Sequence, residues 1–298
     1  MSNKIIYHSR FGPPQDGGRG SNNTSFVQRS IDNLEELVRK LPEVVTEDIF
    51  RGFIGISKAI SVSGGNGHSI AAKTNGSIVG WGLDGHGQAT IPSGLAKITM
   101  VAAGGSFSLA LCVDGLVSAW GYNGNNQTLV PEGLSKVKAV SAGGAHSLAL
   151  LENGNVVAWG YNRHGQIDVP EGLVDVEAIS AGVGHSLALT EDGKVAAWGW
   201  NHQGQTAVPD GLGRIVMIAA GYAHSLALVA DGTIVGWGND DFGQVSTPTG
   251  LGLVKTIAAG YHHSIALLED GTVRGWGRNT HGQITIPHGL ERVKAISC

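Results

Sequence analysis

A tryptophan returns in this chain at Trp81, Trp120, Trp159, Trp198, Trp237 and Trp276, every 39 residues, with no insertion or deletion between copies. The phase also carries glycine at Gly65, Gly104, Gly143, Gly182, Gly221 and Gly260, and glutamine at Gln88, Gln127, Gln166, Gln205, Gln244 and Gln283. An imidazole keeps it at His68, His146, His185, His224 and His263, with Phe107 substituting once. Self-similarity this strict removes most folds from consideration, because a unit that cannot bury its own apolar face has to stack on its neighbours as a solenoid or propeller.

The copy Ala139–Glu177 shows what the unit is. VKAVSA at Val137–Ala142, SLALL at Ser147–Leu151 and VVAWG at Val156–Gly160 are short apolar runs. Asn153-Gly154 separates the last two, and an Asn-Gly or Asp-Gly step recurs in all six copies, supplying the positive backbone angles of a tight hairpin. Three antiparallel strands followed by the connection Tyr161–Leu173 are predicted for each copy. Small sheets faced with Ala, Leu, Val and Gly pack radially as blades. The expectation is an all-β fold, a β-propeller of six full 39-residue repeats with three- to four-stranded blades. A β-helix would need shorter coils, and helical repeats are disfavoured by the hairpin glycines.

The string AGG-x-HSLAL-x-x-[DN]G-x-V-x-AWG-x-N-x-x-GQ, carried in phase from about Gly55 to Cys298, resembles the regulator of chromosome condensation repeat. The compactness of the unit is similar to that of the propeller-type bacterial β-lactamase inhibitor protein. The resemblance implies a β-propeller and leaves function open, since propellers are reused for unrelated tasks.

Only 15% of the 298 residues are charged against 42% hydrophobic, ample for a packed core. Residues 1–59 hold eight Lys/Arg and seven Asp/Glu, whereas 60–298 hold twelve and seventeen, so the repeat region is mildly acidic. Phosphate neutralisation needs clustered cations, and no basic stripe exists, so neither nucleic-acid binding nor the family's chromatin association is expected. Cys112 and Cys298 make no disulfide framework and no metal-ligand spacing. The N-terminus MSNKIIYHSRFGPPQDGG lacks a signal-peptide core and no apolar run approaches a membrane span, so the expectation is a cytoplasmic or virion-associated protein with no membrane partner.

Ahead of the repeats, residues 1–25 are polar and rich in Pro and Gly and are expected to form a flexible or partner-bound arm. Residues 26–42 carry Val27, Ile31, Leu34, Val38 and Leu41 in 4-3-4-3 spacing, with Pro42 as a stop, which predicts a short amphipathic helix. Its seam either drives self-association or docks on the propeller. Residues 43–54 are a connector or a closing strand, and 55–298 the propeller. Six periods from Gly55 leave ten residues over, so the ring has either six blades or a seventh composite blade built from Val293–Cys298 with 43–54.

The phased histidines resemble a ligand ring. Each nevertheless follows a glycine turn, and Phe107 replaces one without disturbing the period, which favours hydrogen bonding between blades over metal binding. Each Trp should wedge between blades and each Gln should tie down the long connection. No nucleophile elbow, phosphate loop or zinc motif is present, no cofactor is implied, and Asp84, Asp240 and Asp241 read as turn formers.

Positions that vary at fixed phase are more informative. After each Trp-Gly stand Leu83, Tyr122, Tyr161, Trp200, Asn239 and Arg278; after each turn glycine stand Asn66, Gly105, Gly144, Val183, Tyr222 and Tyr261, with His262 beside the last. Both sets flank loops, so each should reach one rim, and Tyr122, Tyr161, Trp200, Tyr222, Tyr261, His262 and Arg278 are the candidate binding residues. The expected function is a non-catalytic module that binds a protein or glycan through this rim, displayed on a larger assembly or as a homo-oligomer through its N-terminal arm and helix. A phage tail or fibre protein shares that layout. An enzyme inhibitor such as one of β-lactamase fits the aromatics but not the absent signal. Guanine-nucleotide exchange is the least expected, because the family's exchange factors resemble one another in longer repeats carrying an inserted wedge.

Overall fold

The computed structural model describes residues 6–7, 59–290 and 292–298. The expected helix at 26–42, the segment 43–54 and the arm apart from residues 6–7 lie outside the described residues. Strand β1 is Ile6–Tyr7. Six antiparallel three-stranded blades follow in chain order: β2 (Ala59–Gly64), β3 (His68–Lys73) and β4 (Ile78–Gly82); β5 (Ile98–Ala103), β6 (Phe107–Cys112) and β7 (Val117–Gly121); β8 (Val137–Ala142), β9 (His146–Leu151) and β10 (Val156–Gly160); β11 (Val176–Ala181), β12 (His185–Thr190) and β13 (Val195–Gly199); β14 (Ile215–Ala220), β15 (His224–Val229) and β16 (Ile234–Gly238); β17 (Val254–Ala259), β18 (His263–Leu268) and β19 (Val273–Gly277). β20 (Ile296–Ser297) lies past the sixth blade. Among the described residues no helix is long and apolar enough to cross a membrane.

Each blade is a meander, and its hairpin shows how the Asn/Asp-Gly step works. In the third blade the Gly154 amide donates to the Leu151 carbonyl at 3.0 Å and the Leu151 amide to the Asn155 carbonyl at 2.9 Å. Gly154 has φ 81°, while Asn153 is not among the residues with positive φ. The turn is therefore a type I turn with a left-handed glycine bulge, in which the Asn153 side chain accepts the Asn155 amide at 3.1 Å. Only the glycine, and not the pair expected from sequence, takes the left-handed conformation.

The core lies between blades rather than within them. Leu148 and Leu150 of β9 pack with Val176, Ala181, Ala188 and Trp198 of the fourth blade, whereas Ala149 faces Leu109 and Leu111 of the second. Alternation along one strand thus gives every blade a leucine face and an alanine face, and stacking is head to tail. Complete removal of a Leu side chain from water contributes about 1.5–3 kcal/mol; Leu109, Leu148, Leu150 and Leu187 are all fully buried.

One hydrogen bond shows how the ring closes. In the first, third and fourth blades the inner strand presents a serine whose Oγ accepts a main-chain amide of the next inner strand 40 residues later: Ala103 to Ser63 at 3.0 Å, Ala181 to Ser141 at 2.9 Å and Ala220 to Ser180 at 3.0 Å. Ser297 stands at the same phase, and it accepts the Gly64 amide at 3.4 Å. The residue 40 past Ser297 would be seven periods beyond Gly64, so the bond continues the series around a ring of seven positions. Val293 and Cys298 pack under Ile265 and Leu267 of the sixth blade, as the equivalent residues do elsewhere. The seventh position is therefore held by the last inner strand, β20, which pairs in parallel with β1 through Ile6 opposite Ile296 and Tyr7 opposite Ser297. Its partner among the described residues is thus the start of the chain; 43–54, the partner weighed from sequence, lies outside them.

Candidate functional site

The invariant polar residues form a clamp repeated at successive blade interfaces. Gln127 lies within the long loop of its repeat; its Oε1 accepts the Asn125 amide at 2.9 Å, and its main-chain carbonyl accepts both the Ser147 hydroxyl at 2.8 Å and the Trp159 indole N–H at 3.0 Å from the next blade. The same arrangement recurs at Gln88, Gln166, Gln205 and Gln244. Trp120, Trp159, Trp198, Trp237 and Trp276 are buried, as the wedge reading requires.

The histidines belong to this clamp. Nε2 of His68, His146, His185 and His224 each lies 3.0 Å from a serine Oγ of the following blade, respectively Ser108, Ser186, Ser225 and Ser264. The proton of each such serine goes to a Gln carbonyl, so the hydroxyl accepts from the imidazole. The bond runs between blades, as expected from sequence, and its partner at these four positions is a side-chain hydroxyl. Burial lowers His68 to about 4, and burial together with the neighbouring His263 and His262 lowers His224 to about 3. Gly143 has no room for a side chain, since a Cβ would meet the His146 ring at 2.3 Å and the Gly182 carbonyl at 2.5 Å. Among the described residues no three His, Cys, Asp or Glu side chains gather as a metal site, and Cys112 and Cys298 are buried and not joined in a disulfide.

With the clamp fixing the loops, the variable positions are presented together. In every blade the first turn and the exit of the third strand lie at one end of the sheet, and the type I hairpin lies at the other. Both variable sets therefore share one rim. Asp84, Asn123, Asn162, Asn201, Asp240 and Asn279 close the post-Trp loops by accepting main-chain amides five residues on. Hydrogen bonds from the Thr90 hydroxyl and the Ala89 amide hold the exposed Asp84 carboxyl below its usual range. Asp241 instead accepts from the Asn239 amide group at 2.7 Å.

On this rim the candidate residues divide into two groups. Tyr122, Tyr161, Trp200 and Tyr222 line a depression of about 500 Å³. Its floor includes Gly105 and Gly144, drawn in by main-chain bonds from Gly105 to Gly143 and from Gly144 to Gly182. His164 sits between two walls, its ring 6.2 Å from Tyr161 and 6.1 Å from Trp200, and Trp200 meets Tyr222 edge-on at 5.7 Å. Tyr261, His262 and Arg278 are not in the lining. Tyr261 stacks on Tyr222 at 4.0 Å, and burial with a hydrogen bond to Tyr222 pushes its phenol up to about 12. His262 packs against Tyr261 at 4.3 Å and Phe242 at 4.9 Å; burial, then the Arg278 charge, lowers its pKa. Arg278 lies over the Phe242 ring at 5.0 Å and donates to the Thr280 hydroxyl at 2.8 Å. These three buttress the depression. Sequence reasoning missed His164 and Phe242, although they share one variable phase with His86, Asn125, Gln203 and His281, two residues before the phased glutamine, and it assigned Gln127 and Gln166 to the scaffold although both also line the depression.

Comparison with known proteins bears on the scaffold. The family described as Regulator of chromosome condensation (RCC1) repeat matches residues 59–88, 98–127, 137–166, 176–205, 215–244 and 254–283, each match running from an inner strand to the phased glutamine. No curated protein matches the sequence. Among solved structures, Prp20p from Saccharomyces cerevisiae, studied with its binding to Gsp1p and histones, is similar at 24% identity and a TM-score of 0.66, covering 78% of this chain and 75% of its own. Human WBSCR16 is similar at 21% identity and a TM-score of 0.67, covering 81% and 85%. The ectodomain of the Arabidopsis thaliana receptor kinase ACR4 is similar at 21% identity and a TM-score of 0.64, covering 81% and 90%. At these identities the likeness establishes the fold.

Proposed function

The chain belongs to the regulator of chromosome condensation repeat family, and from that premise we propose that it is a non-catalytic recognition module that takes a protein partner on its aromatic rim. The observation that carries the reading is the convergence of Tyr122, Tyr161, Trp200 and Tyr222, from four different repeats, on one depression. None of them serves the clamp that holds the blades together. Tyr and Trp offer large, stiff contact area with a polar tip, and such residues dominate binding energy where they cluster. Prp20p, a propeller of the same fold, binds proteins, which supports a protein partner here. Display on a larger assembly or self-association through residues 26–42 is part of the same proposal and rests on the apolar spacing from Val27 to Leu41.

The test compares two rims of one molecule. Ligands are selected on the parent protein from a displayed protein-fragment library and from a glycan panel, then measured against Trp200→Ala with Tyr161→Ala. The control is Val174→Ala with Leu253→Ala at the opposite ends of the strands, both residues being exposed. Loss of at least ~30-fold in the rim variant, for two anchors at about 2 kcal/mol or more in total, with the control unchanged, supports the reading. The opposite pattern overturns it.

A further inference from the structure

The phased glutamines share one bond and differ in what remains. In each, Oε1 accepts the amide two residues earlier at 2.9 Å. The Nε2 group is then a pure donor. In Gln244 it is satisfied by Asn239; in Gln88 and Gln205 it is buried without a partner. Gln127 and Gln166 are 1% exposed and line the depression, and among the described residues their Nε2 groups have no acceptor. Two amide donors, one repeat apart, therefore open onto a cavity with their own acceptor oxygens already committed. Unlike the enclosed Nε2 groups of Gln88 and Gln205, these two donors are open to the depression, where an entering acceptor can pair with them.

Resting on the recognition reading above, we infer that the depression binds main-chain carbonyls of a protruding peptide loop, with an apolar side chain of that loop set among Tyr161, Trp200 and Tyr222. Carbonyls are acceptors only, and they complement donors that have nothing to offer in return. The lining contains no Asp, Glu, Lys or Arg, so a charged ligand finds no counter-charge in it. A sugar hydroxyl needs an acceptor as well as a donor, and the absence of a carboxylate leaves it less well served than a peptide. The glycine floor at Gly105 and Gly144 lets foreign backbone approach closely, and about 500 Å³ accommodates a large side chain with its flanking peptide groups. Recognition of this kind is insensitive to ionic strength.

The experiment selects disulfide-closed peptide loops displayed on phage against the parent protein and measures the winners on Gln127→Glu and Gln166→Glu. Glutamate keeps the outline and the oxygen that accepts the Asn125 or His164 amide, and it replaces the donor with an anion. The winners should share an apolar residue, hold their affinity from about 0.1 to about 0.5 M salt, and weaken roughly tenfold or more in each variant. Should a glutamate variant melt early, the readout moves to the parent. The indole N–H resonance of Trp200, assigned by its loss in Trp200→Phe, should then shift saturably with the selected peptide. Winners indifferent to both substitutions, affinities that collapse with salt, or a Trp200 resonance that stays in place overturn the inference. If neutral oligosaccharides shift that resonance and no peptide does, the peptide assignment is overturned and the rim remains a recognition surface. If neither ligand class moves it, the recognition reading is overturned as well.

Discussion

Five interfaces of this propeller are copies of one another, and the one that joins the sixth blade to the first is built differently. At each copy a Trp indole donates to a Gln carbonyl of the preceding repeat at 2.9–3.0 Å, and that Trp is 5–8% exposed. At the seam Trp81 is 41% exposed and Gln283, buried in the other repeats, is half-buried. The inner layer continues regardless: Val293 and Cys298 fill the leucine face of the sixth blade, and Ser297 reaches Gly64 at 3.4 Å against 2.9–3.2 Å elsewhere. The comparison separates two jobs. Inner-strand packing positions a blade in the ring, and the Trp–Gln clamp, which needs a third strand and a full loop, locks its outer part.

The largest effect should come from breaking the clamp at a regular interface. Trp159→Ala leaves a cavity and removes one of the two donors to the Gln127 carbonyl, and it is expected to cost about 3–5 kcal/mol. Trp81→Ala, already part-exposed, should cost under about 2 kcal/mol by the same bookkeeping. Calorimetric melts of the pair decide it, and equal shifts would mean that the seam is clamped as tightly as the rest.

Acid should loosen the clamps next. A buried imidazole with a lowered folded value takes up fewer protons than the unfolded chain, so its contribution is complete above the unfolded value of 6.5 and is lost as pH falls through the window down to the folded value. By pH 4 the loss for His68 is on the order of 3 kcal/mol, and the window for His224 reaches lower, towards 3. His224→Phe copies the natural arrangement at Phe107, where Ser147 still donates to Gln127 at 2.8 Å. That variant should show a shallower dependence of denaturant midpoint on pH between 6.5 and 4. An unchanged slope would place the acid sensitivity elsewhere.

A smaller pair of substitutions tests whether the seventh position is a true member of the ring. Ser141→Ala removes a regular inner-strand bond and should cost about 1 kcal/mol, and Ser297→Ala, with its longer bond, about 0.5 kcal/mol. No effect at Ser297 would leave the seam joined by apolar contact alone. The smallest expected effect on stability belongs to Leu34→Asp with Val38→Asp: under the proposal that residues 26–42 drive self-association, light scattering should show it lost while the propeller melts as before. Unfolding of the propeller in that variant would show the segment to be packed on the blades.

How far the site could be read from the chain varied with the residue. Variation at fixed phase pointed to Tyr122, Tyr161, Trp200, Tyr222, Tyr261, His262 and Arg278, because a loop position not needed by the fold is where side chains can differ between repeats. It could not separate the four that line one depression from the three that stack behind them, since that depends on ring-to-ring distances across blades. Nor could it show that Gln127 and Gln166 serve the scaffold and the depression at once. Their periodicity is fully explained by the scaffold.

By itself the sequence determined the unit and its repetition: strands Val137–Ala142 and Val156–Gly160 and the place of the Asn-Gly hairpin follow from local pattern, because each is decided within one period. Whatever connects one period to another was decided only in three dimensions. The histidine pairs with a serine 40 residues away in the next blade, although every repeat carries its own serine beside the histidine. The count of seven positions rests on a bond between Gly64 and Ser297, 233 residues apart. A repeat states its own conformation, but the angle at which copies stack, and hence how many close a ring, is set by the volumes of the leucine and alanine faces pressed together.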